Sequence, residues 1–266
     1  MSISDTAIKA PSAFFLMAEG RSVFEMGAYF ATKPLFRHLK KGDGHPVLVL
    51  PGLAASDFST VILRRFLKKR GYQPYGWKQG RNLGLRDRVL ENMLAKVDEI
   101  FDIHGEKLSL VGWSLGGIFA RELAKLRPEK IRFVISLGSP HSGNPKASHA
   151  TRFYEYVSGH SVKNPPLTTV LSEAPPVPTT SIYSKTDGVV AWQNCHQRKP
   201  VTADTMVHTE NIRVEGSHCG LGVNPSVLYI LADRLAQDEK AWKPFANKGV
   251  RKIFFRIPQH DVMASH

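Results

Sequence analysis

From residue 46 onward, short continuous apolar runs alternate with longer stretches in which apolar residues recur every three or four positions. Val47-Leu48-Val49-Leu50 follows His45-Pro46 and is stopped by Pro51-Gly52. A run of this kind reads as a strand buried on both faces, as inside a parallel sheet. Ser56 to Arg70 has helical spacing, with Val61, Ile62, Leu63, Phe66 and Leu67 on one broad face. Gly71 ends it, and Tyr72 to Trp77 reads as a short strand. Asp87 to His104 is a second amphipathic helix, carrying Val89, Leu90, Met93, Leu94, Val97, Ile100 and Phe101 at i, i+3, i+4 and i+7 spacings. Lys107 to Trp113 is a strand, Leu115 to Leu126 a helix stopped before Pro128, and Ile131 to Leu137 another buried strand. Ser181 to Ser184 and Ile212 to Val214 are shorter strand candidates. Asn224 to Leu235 is a closing helix, with Pro225 suited to its first turn.

This strand-helix-strand order predicts an α/β fold with a mostly parallel central sheet flanked by helices and right-handed crossovers. One segment breaks the rhythm. His141 to Thr180 holds Pro145, Pro165, Pro166, Pro175, Pro176 and Pro178, and reads as a cap-like insertion with one helix from Lys146 to Val157. No internal repeat or interdomain linker is evident. The expected organisation is an N-terminal helical extension over 1–44, an α/β domain over 45–239 with the insertion at about 141–180, and a basic tail over 240–266.

The sharpest chemical feature is Gly112-Trp113-Ser114-Leu115-Gly116. Gly-x-Ser-x-Gly alone is a weak signal, but here a predicted buried strand precedes the serine and a predicted helix follows it. That context is the one in which such a serine stands on a sharp turn above the sheet, with helix amides beneath it. A serine hydroxyl is a poor nucleophile near neutral pH and needs a base, which a third group must orient. On this topology the partners lie on loops after later strands, acid before histidine. Asp187, in Lys185-Thr186-Asp187-Gly188 after the Ser181–Ser184 strand, fits the acid, with Asp204 as the alternative. Among 11 histidines, His218 follows the Ile212–Val214 strand and precedes the last helix. His208 falls before that strand, and His196 lies within the acid's own loop. The oxyanion formed in acyl transfer needs donors; the N–H groups of Leu115, next to the serine, and of Leu53, after Pro51-Gly52, are the candidates.

These residues resemble the α/β-hydrolase serine esterases and lipases, particularly bacterial lipase-like members. The resemblance rests on Pro51-Gly52-Leu53, Gly112 to Gly117, Gly138-Ser139-Pro140-His141-Ser142-Gly143, Asp187-Gly188-Val189-Val190 and Ser217 to Gly222, and spans about residues 45 to 236. It implies an α/β-hydrolase fold with a cap or lid. It implies a Ser114–His218–Asp187 triad with Leu53 and Leu115 as oxyanion donors. The implied reaction is cleavage of carboxylic esters through an acyl-enzyme, needing neither metal nor organic cofactor. Acyl transfer, thioester cleavage or amide cleavage by the same triad are alternatives. Where many such lipases carry His-Gly in the oxyanion loop, this chain has Pro51-Gly52.

Composition narrows the partners. Lys and Arg total 36 against 23 Asp and Glu, a net charge of +13, which favours anionic partners. Lys33, Arg37, Lys40 and Lys41 form one basic group, and Lys240, Lys243, Lys248, Arg251, Lys252 and Arg256 another, interleaved with Trp242, Phe245, Phe254 and Phe255. No nucleic-acid-binding signature accompanies them, so nucleic acid is not an expected partner. The readings left are a solvated basic surface or contact with an anionic membrane, and a non-catalytic membrane-surface module is the competing class of function. The expected substrate is a small-molecule or lipid ester. In the first segment, Glu19 and Arg21 interrupt the short apolar patch Ala13–Ala18, unlike a secretory signal. The expectation is a cytoplasmic protein, with membrane association open. Phe14, Met17, Val23, Phe24 and Phe30 suggest helices laid on a core or an interface, and Phe153, Tyr154, Tyr156 and Val157 an apolar underside of the cap or packing onto the sheet. Cys195 and Cys219 are the two cysteines. Both fall on loops that must approach His218, and sequence leaves a bridge between them open.

Overall fold

A computed structural model describes residues 8–86, 88–162, 169–198, 208–249, 252 and 255–257. Asp204, the alternative acid, lies outside these residues, as do Asp87, Pro165, Pro166, Arg251 and Phe254. The strands are β1 (Pro46–Leu50), β2 (Gln73–Gly76), β3 (Leu108–Trp113), β4 (Ile131–Leu137), β5 (Thr179–Ser184) and β6 (Thr209–Val214). Among the described residues they form one sheet in the order β2-β1-β3-β4-β5-β6, every pair parallel.

The helices are α1 (Ala13–Met17), α2 (Ser22–Thr32), α3 (Val61–Lys69), α4 (Val89–His104), α5 (Leu115–Leu126), α6 (Thr151–Ser158) and α7 (Pro225–Leu235). They flank the sheet as the continuous apolar strands require, because side chains of alternating sense need cover on both faces. Val47 and Val49 face one core with Phe66 of α3 and Leu231 of α7, whereas Leu48 and Leu50 face the other with Met93 of α4 and Phe119 of α5. The flanking segments join this packing: Tyr29 of α2, Phe245 and Phe255 are buried in the first core.

Differences from the sequence reading have local causes. α3 begins at Val61 rather than Ser56, because Asp57 turns its carboxylate to the amides of Trp77 and Lys78 at the end of β2, 3.0 Å from each. The cap helix begins at Thr151 rather than Lys146. Asn144 and Ser148 accept from the amides of Lys146 (3.0 Å) and Ala150 (3.1 Å), holding that stretch in turns. β5 and β6 start earlier than hydrophobicity implies because their polar residues are buried in pairs: Thr180 donates to Glu210 (2.8 Å), which also accepts from Arg234 (3.0 Å) and the Phe245 amide (2.7 Å).

The topology positions the site. β1 pairs with β2 on one side and β3 on the other, so connections leave β1 and β3 in opposite senses. The crevice beyond the carboxyl ends of such strands is where open α/β sheets bind ligands. The loop after β1 begins at Pro51, and the residue after β3 is Ser114.

Candidate active site

Ser114 joins β3 to α5 with φ 53° and ψ −121°. A side chain there costs about 1–3 kcal/mol, which the surrounding structure must impose. It does so by crowding. A Cβ at Gly112 would run into the backbone of Gly116 and Gly117, and one at Gly116 into the carbonyls of Leu50 and Pro51. Only glycine allows β3, α5 and β1 to approach this closely, which gives the pentapeptide its physical reason. The Ser114 amide donates to Leu137 O at the end of β4 (2.8 Å), fixing the turn to the sheet.

Asp187 and His218 lie at the ends of β5 and β6, both buried, with His218 Nδ1 2.6 Å from Asp187 Oδ2. The other carboxylate oxygen, Oδ1, accepts from the amides of Val189 and Val190, 2.8 Å each. These bonds aim the acid and leave Oδ2 for the histidine. Burial alone lowers the His218 pKa, but the charge and hydrogen bond of Asp187, helped by Glu19, outweigh it, so the net shift is upward from 6.5. A ring held this way has Nδ1–H toward the acid and Nε2 free to take a proton.

Among the described residues the Ser114 side chain makes no hydrogen bond to this pair; its chain neighbours make the contacts. Trp113 Nε1 donates to His218 O (3.0 Å). Gly138, which follows the acceptor of the Ser114 amide, lies under the pair: a Cβ there would sit 3.1 Å from His218 Nδ1 and 3.3 Å from Asp187 Oδ2. On the opposite side a Cβ at Gly52 would reach 3.3 Å from the Ser114 Cβ, so the loop after β1 abuts the serine. Leu115 is the first residue of α5, where an N–H has no acceptor within the helix.

The loop after β1 is held by a residue that sequence reading missed. Asn82, fully buried, donates from Nδ2 to Pro51 O (2.8 Å), accepts from the Ala54 amide at its own carbonyl (2.7 Å), and donates its amide to Ala55 O (2.8 Å). These bonds keep Ala54 at φ 58° and set the direction of the Leu53 peptide. No sequence signal marks Asn82, since an asparagine among loop residues reads as a turn former.

Beyond Ser114 opens a cleft lined by Leu53, Leu115, Ile118, Phe119, Tyr154 and Val190 among others. Its walls are mostly apolar, as a binding site for an acyl chain would be. The cap helix contributes through Tyr154 alone among its aromatics; Phe153 and Tyr156 point to solvent.

The histidines set aside by topology lie elsewhere: His208 stacks on Trp242 and His196 packs edge-on against Tyr183. Cys195 and Cys219 are both free, the first buried and the second exposed. Sequence reading also missed Glu19, Arg21 and Glu25, which between them reach the Asp187 and His218 loops from the N-terminal segment. By sequence, Glu19 and Arg21 only interrupt an apolar patch, and Glu25 carries no signal.

Residues 46–213 match the family model described as palmitoyl protein thioesterase. Ser114 and Asp187 fall inside that range and His218 beyond its end. The chain is similar in structure to a lipase of Bacillus licheniformis, BlEst2 in its mature form, at TM-score 0.51 and 16% identity, over 72% of this chain and 92% of that one. A second similar structure is of the metagenome-derived lipolytic enzymes LipS and LipT, at TM-score 0.54 and 15% identity, over 74% and 94%. Aspergillus fumigatus lipase B matches at TM-score 0.49 and 18% identity over 73% of this chain, which spans 53% of that longer one. The shared architecture is the α/β-hydrolase fold.

Proposed function

Because the chain belongs to the palmitoyl protein thioesterase family, whose fold it shares with lipases and esterases, we propose that it is a serine hydrolase that cleaves carboxylic esters of long acyl chains through a Ser114–His218–Asp187 triad. The observation that carries this reading is the 2.6 Å His218–Asp187 bond at the rim where the strained Ser114 turn stands. His218 Nε2 takes the Ser114 proton as Oγ attacks the acyl carbonyl, and Asp187 stabilises the imidazolium. The N–H groups of Leu115 and Leu53 receive the oxyanion. His218 then protonates the leaving alcohol, and water activated by the same ring releases the acid from Ser114.

A second reading is favoured by the family description, which names a palmitoyl thioester. The triad attacks either carbonyl, and a thiolate leaves with less help from the acid; selection lies in the cleft and cap rather than in the triad. Labelling with a fluorophosphonate probe, followed by hydrolysis of matched palmitoyl esters and thioesters, tests both. Wild type is expected to label and hydrolyse, with Ser114→Ala and His218→Ala slower by about 10^4-fold or more. Labelling that survives in Ser114→Ala would remove the nucleophile. The kcat/KM ratio between the two palmitoyl substrates decides which leaving group is preferred.

Lipid-borne substrates fit the outer face of the N-terminal segment, which we propose rests on an anionic membrane. Phe14, Met17, Val23, Phe24 and Phe30 are 57–79% exposed, so of the two roles open to them, core and interface, the core is excluded. The only charged residue of α2, Glu25, points inward, leaving a bare apolar helix face. Exposed Lys33, Arg37 and Lys41 follow directly and complement lipid phosphates, while the exposed Lys40 is paired with Asp233 at 2.9 Å. Among the described residues no helix is long and apolar enough to cross a membrane. Co-sedimentation with phosphatidylcholine vesicles containing phosphatidylserine, weakened by salt and lost in Phe24→Asp, is expected. A face that instead joins two copies, dimeric in solution without vesicle binding, would overturn this.

A further inference from the structure

Behind the Asp187–His218 pair lies a second buried carboxylate. Glu19 Oε1 accepts from the Gly188 amide (2.8 Å) and the His218 amide (2.9 Å), and Oε2 from the Cys219 amide (2.8 Å). Three main-chain donors thus converge on one carboxylate that is only 9% exposed. One donor belongs to the loop that carries the acid and two to the loop that carries the base. Neighbouring contacts reinforce the link. Arg21 donates from Nη2 to the carbonyls of Thr186 (2.5 Å) and Gly216 (3.0 Å), and Glu25 accepts from the Ser217 amide (2.6 Å). The segment sits close enough that a Cβ at Gly188 would strike the backbone of Phe15 and Leu16.

We propose that Glu19 is a positioning residue of the hydrolase centre, tying the Asp187 and His218 loops together from behind so that the imidazole keeps its alignment through proton transfer. The proposal rests on the triad reading above. Charge-assisted bonds to main-chain N–H groups are short and directional, and the two loops end on neighbouring strands with nothing covalent between them. A sub-ångström spread of those ends is enough to misplace a general base. The charged groups that act on the ring are Asp187 on the neighbouring strand end and Glu19 from the N-terminal segment, while Arg21 and Glu25 of that segment meet the backbone of the two loops. Among these, Asp187 and Glu19 both raise the His218 pKa against its burial, so Glu19 acts on the base through charge as well as through geometry.

The experiment compares Glu19→Gln and Glu19→Asp with wild type and with Ser114→Ala in the full-length chain. It uses an ester substrate, with rates of wild type and the Glu19 variants normalised to the fraction of protein that a fluorophosphonate titrates and the rate of Ser114→Ala taken per mole of protein. Gln keeps the length but removes the charge and turns one acceptor into a donor facing an N–H. We expect kcat of Glu19→Gln to fall about 10–100-fold with KM little changed, and the acid limb of kcat/KM to move to lower pH because a negative charge near the ring is gone. Glu19→Asp, which keeps the charge, is expected to return the acid limb to its wild-type position while kcat recovers only in part. The low-field proton resonance of the His218–Asp187 bond is expected to shift in Glu19→Gln. A lower Tm accompanied by wild-type normalised kcat, acid limb and proton resonance would overturn the proposal, since a scaffold role alone predicts that pattern. If Glu19→Gln does not fold, the same readings on Glu19→Asp decide, wild-type normalised kcat being the overturning result. Hydrolysis that persists in Ser114→Ala overturns the triad reading instead, so the two failures are told apart.

Discussion

The indole N–H of Trp113 donates a 3.0 Å hydrogen bond to the carbonyl oxygen of His218. The residue just before Ser114 therefore holds the loop that carries the histidine, and the ring packs on Gly222 of the same loop. Trp113→Phe keeps most of that packing and removes the bond. The expected outcome is a stability loss of about 1 kcal/mol and a several-fold lower kcat with KM unchanged, read by thermal unfolding and steady-state kinetics. An unchanged kcat would separate the bond from catalysis.

The pH dependence has a definite sign. As the proposed base, His218 would act only when neutral, and its pKa is raised above 6.5, burial opposing the larger combined effect of Asp187 and Glu19. Activity is therefore expected to fall as pH drops through an acid limb lying above 6.5. In Asp187→Asn the burial of the ring is left without its main opponent, so the limb moves down, and kcat falls about 10^3–10^4-fold through loss of tautomer and orientation. For stability, the raised pKa contributes fully below 6.5, and that contribution is lost as pH rises through the folded-state value. A kcat/KM profile of both proteins checks the first two statements, and chemical denaturation at several pH values the third.

Asn82 joins the loop after β1 to the site through bonds to Pro51, Ala54 and Ala55. Asn82→Ala leaves the buried Pro51 carbonyl without its donor, at a cost of about 1–3 kcal/mol. The main-chain bonds of Asn82 to Ala54 and Ala55 survive the substitution, so the Leu53 peptide loses only the brace at Pro51, and kcat is expected to fall by about 10-fold or less through a partly weakened oxyanion donor. Labelling rate with a fluorophosphonate, which places an oxygen in the same position, should fall in parallel.

The cleft beyond Ser114 is lined by Ile118 and Phe119 from successive positions on α5. Ile118→Trp narrows it without touching the triad. Palmitoyl substrates should lose at least about 10-fold relative to butyryl substrates, since each excluded methylene costs of order 1 kcal/mol. Equal losses on both would place the acyl chain elsewhere.

The cysteines are expected to be inert. Cys219 is exposed as a residue, but its thiol is turned partly inward, and that burial together with the carboxylate of Glu19 pushes it up to about 12; burial holds the Cys195 thiol well above its ordinary value. Native protein should alkylate slowly at pH 8, show two thiols after denaturation without reductant, and keep its Tm in dithiothreitol.

The elements that sequence made legible are those whose side chains alternate against a core. Leu115–Leu126 and Ile131–Leu137 have the same bounds in both readings, because the turn at Ser114 and Pro128 punctuate the helix and the strand is mostly apolar, even though Arg121 and Glu122 of the helix are buried with its apolar residues. β5 and β6 were read short, because Thr179, Thr180, Glu210 and Asn211 are polar residues buried by pairing, and a partner's position is not written beside them. The glycines of the serine turn and the chain order of serine, aspartate and histidine were legible for a steric and a topological reason.

Which distant residues meet is a matter of packing. Glu19 and His218 are joined across most of the chain, and Asn82 reaches Pro51 over a strand and a helix. By itself the sequence determined the parallel sheet, its flanking helices and the residues eligible for the chemistry, since these follow from periodicity, sterics and strand order. The support behind the histidine, the bracing of the loop after β1, the outward face of α2 and the unbridged cysteines were settled by packing. Long-range hydrogen bonds to main-chain N–H and C=O groups ask nothing of the residue type that supplies the backbone, and so leave no pattern to read.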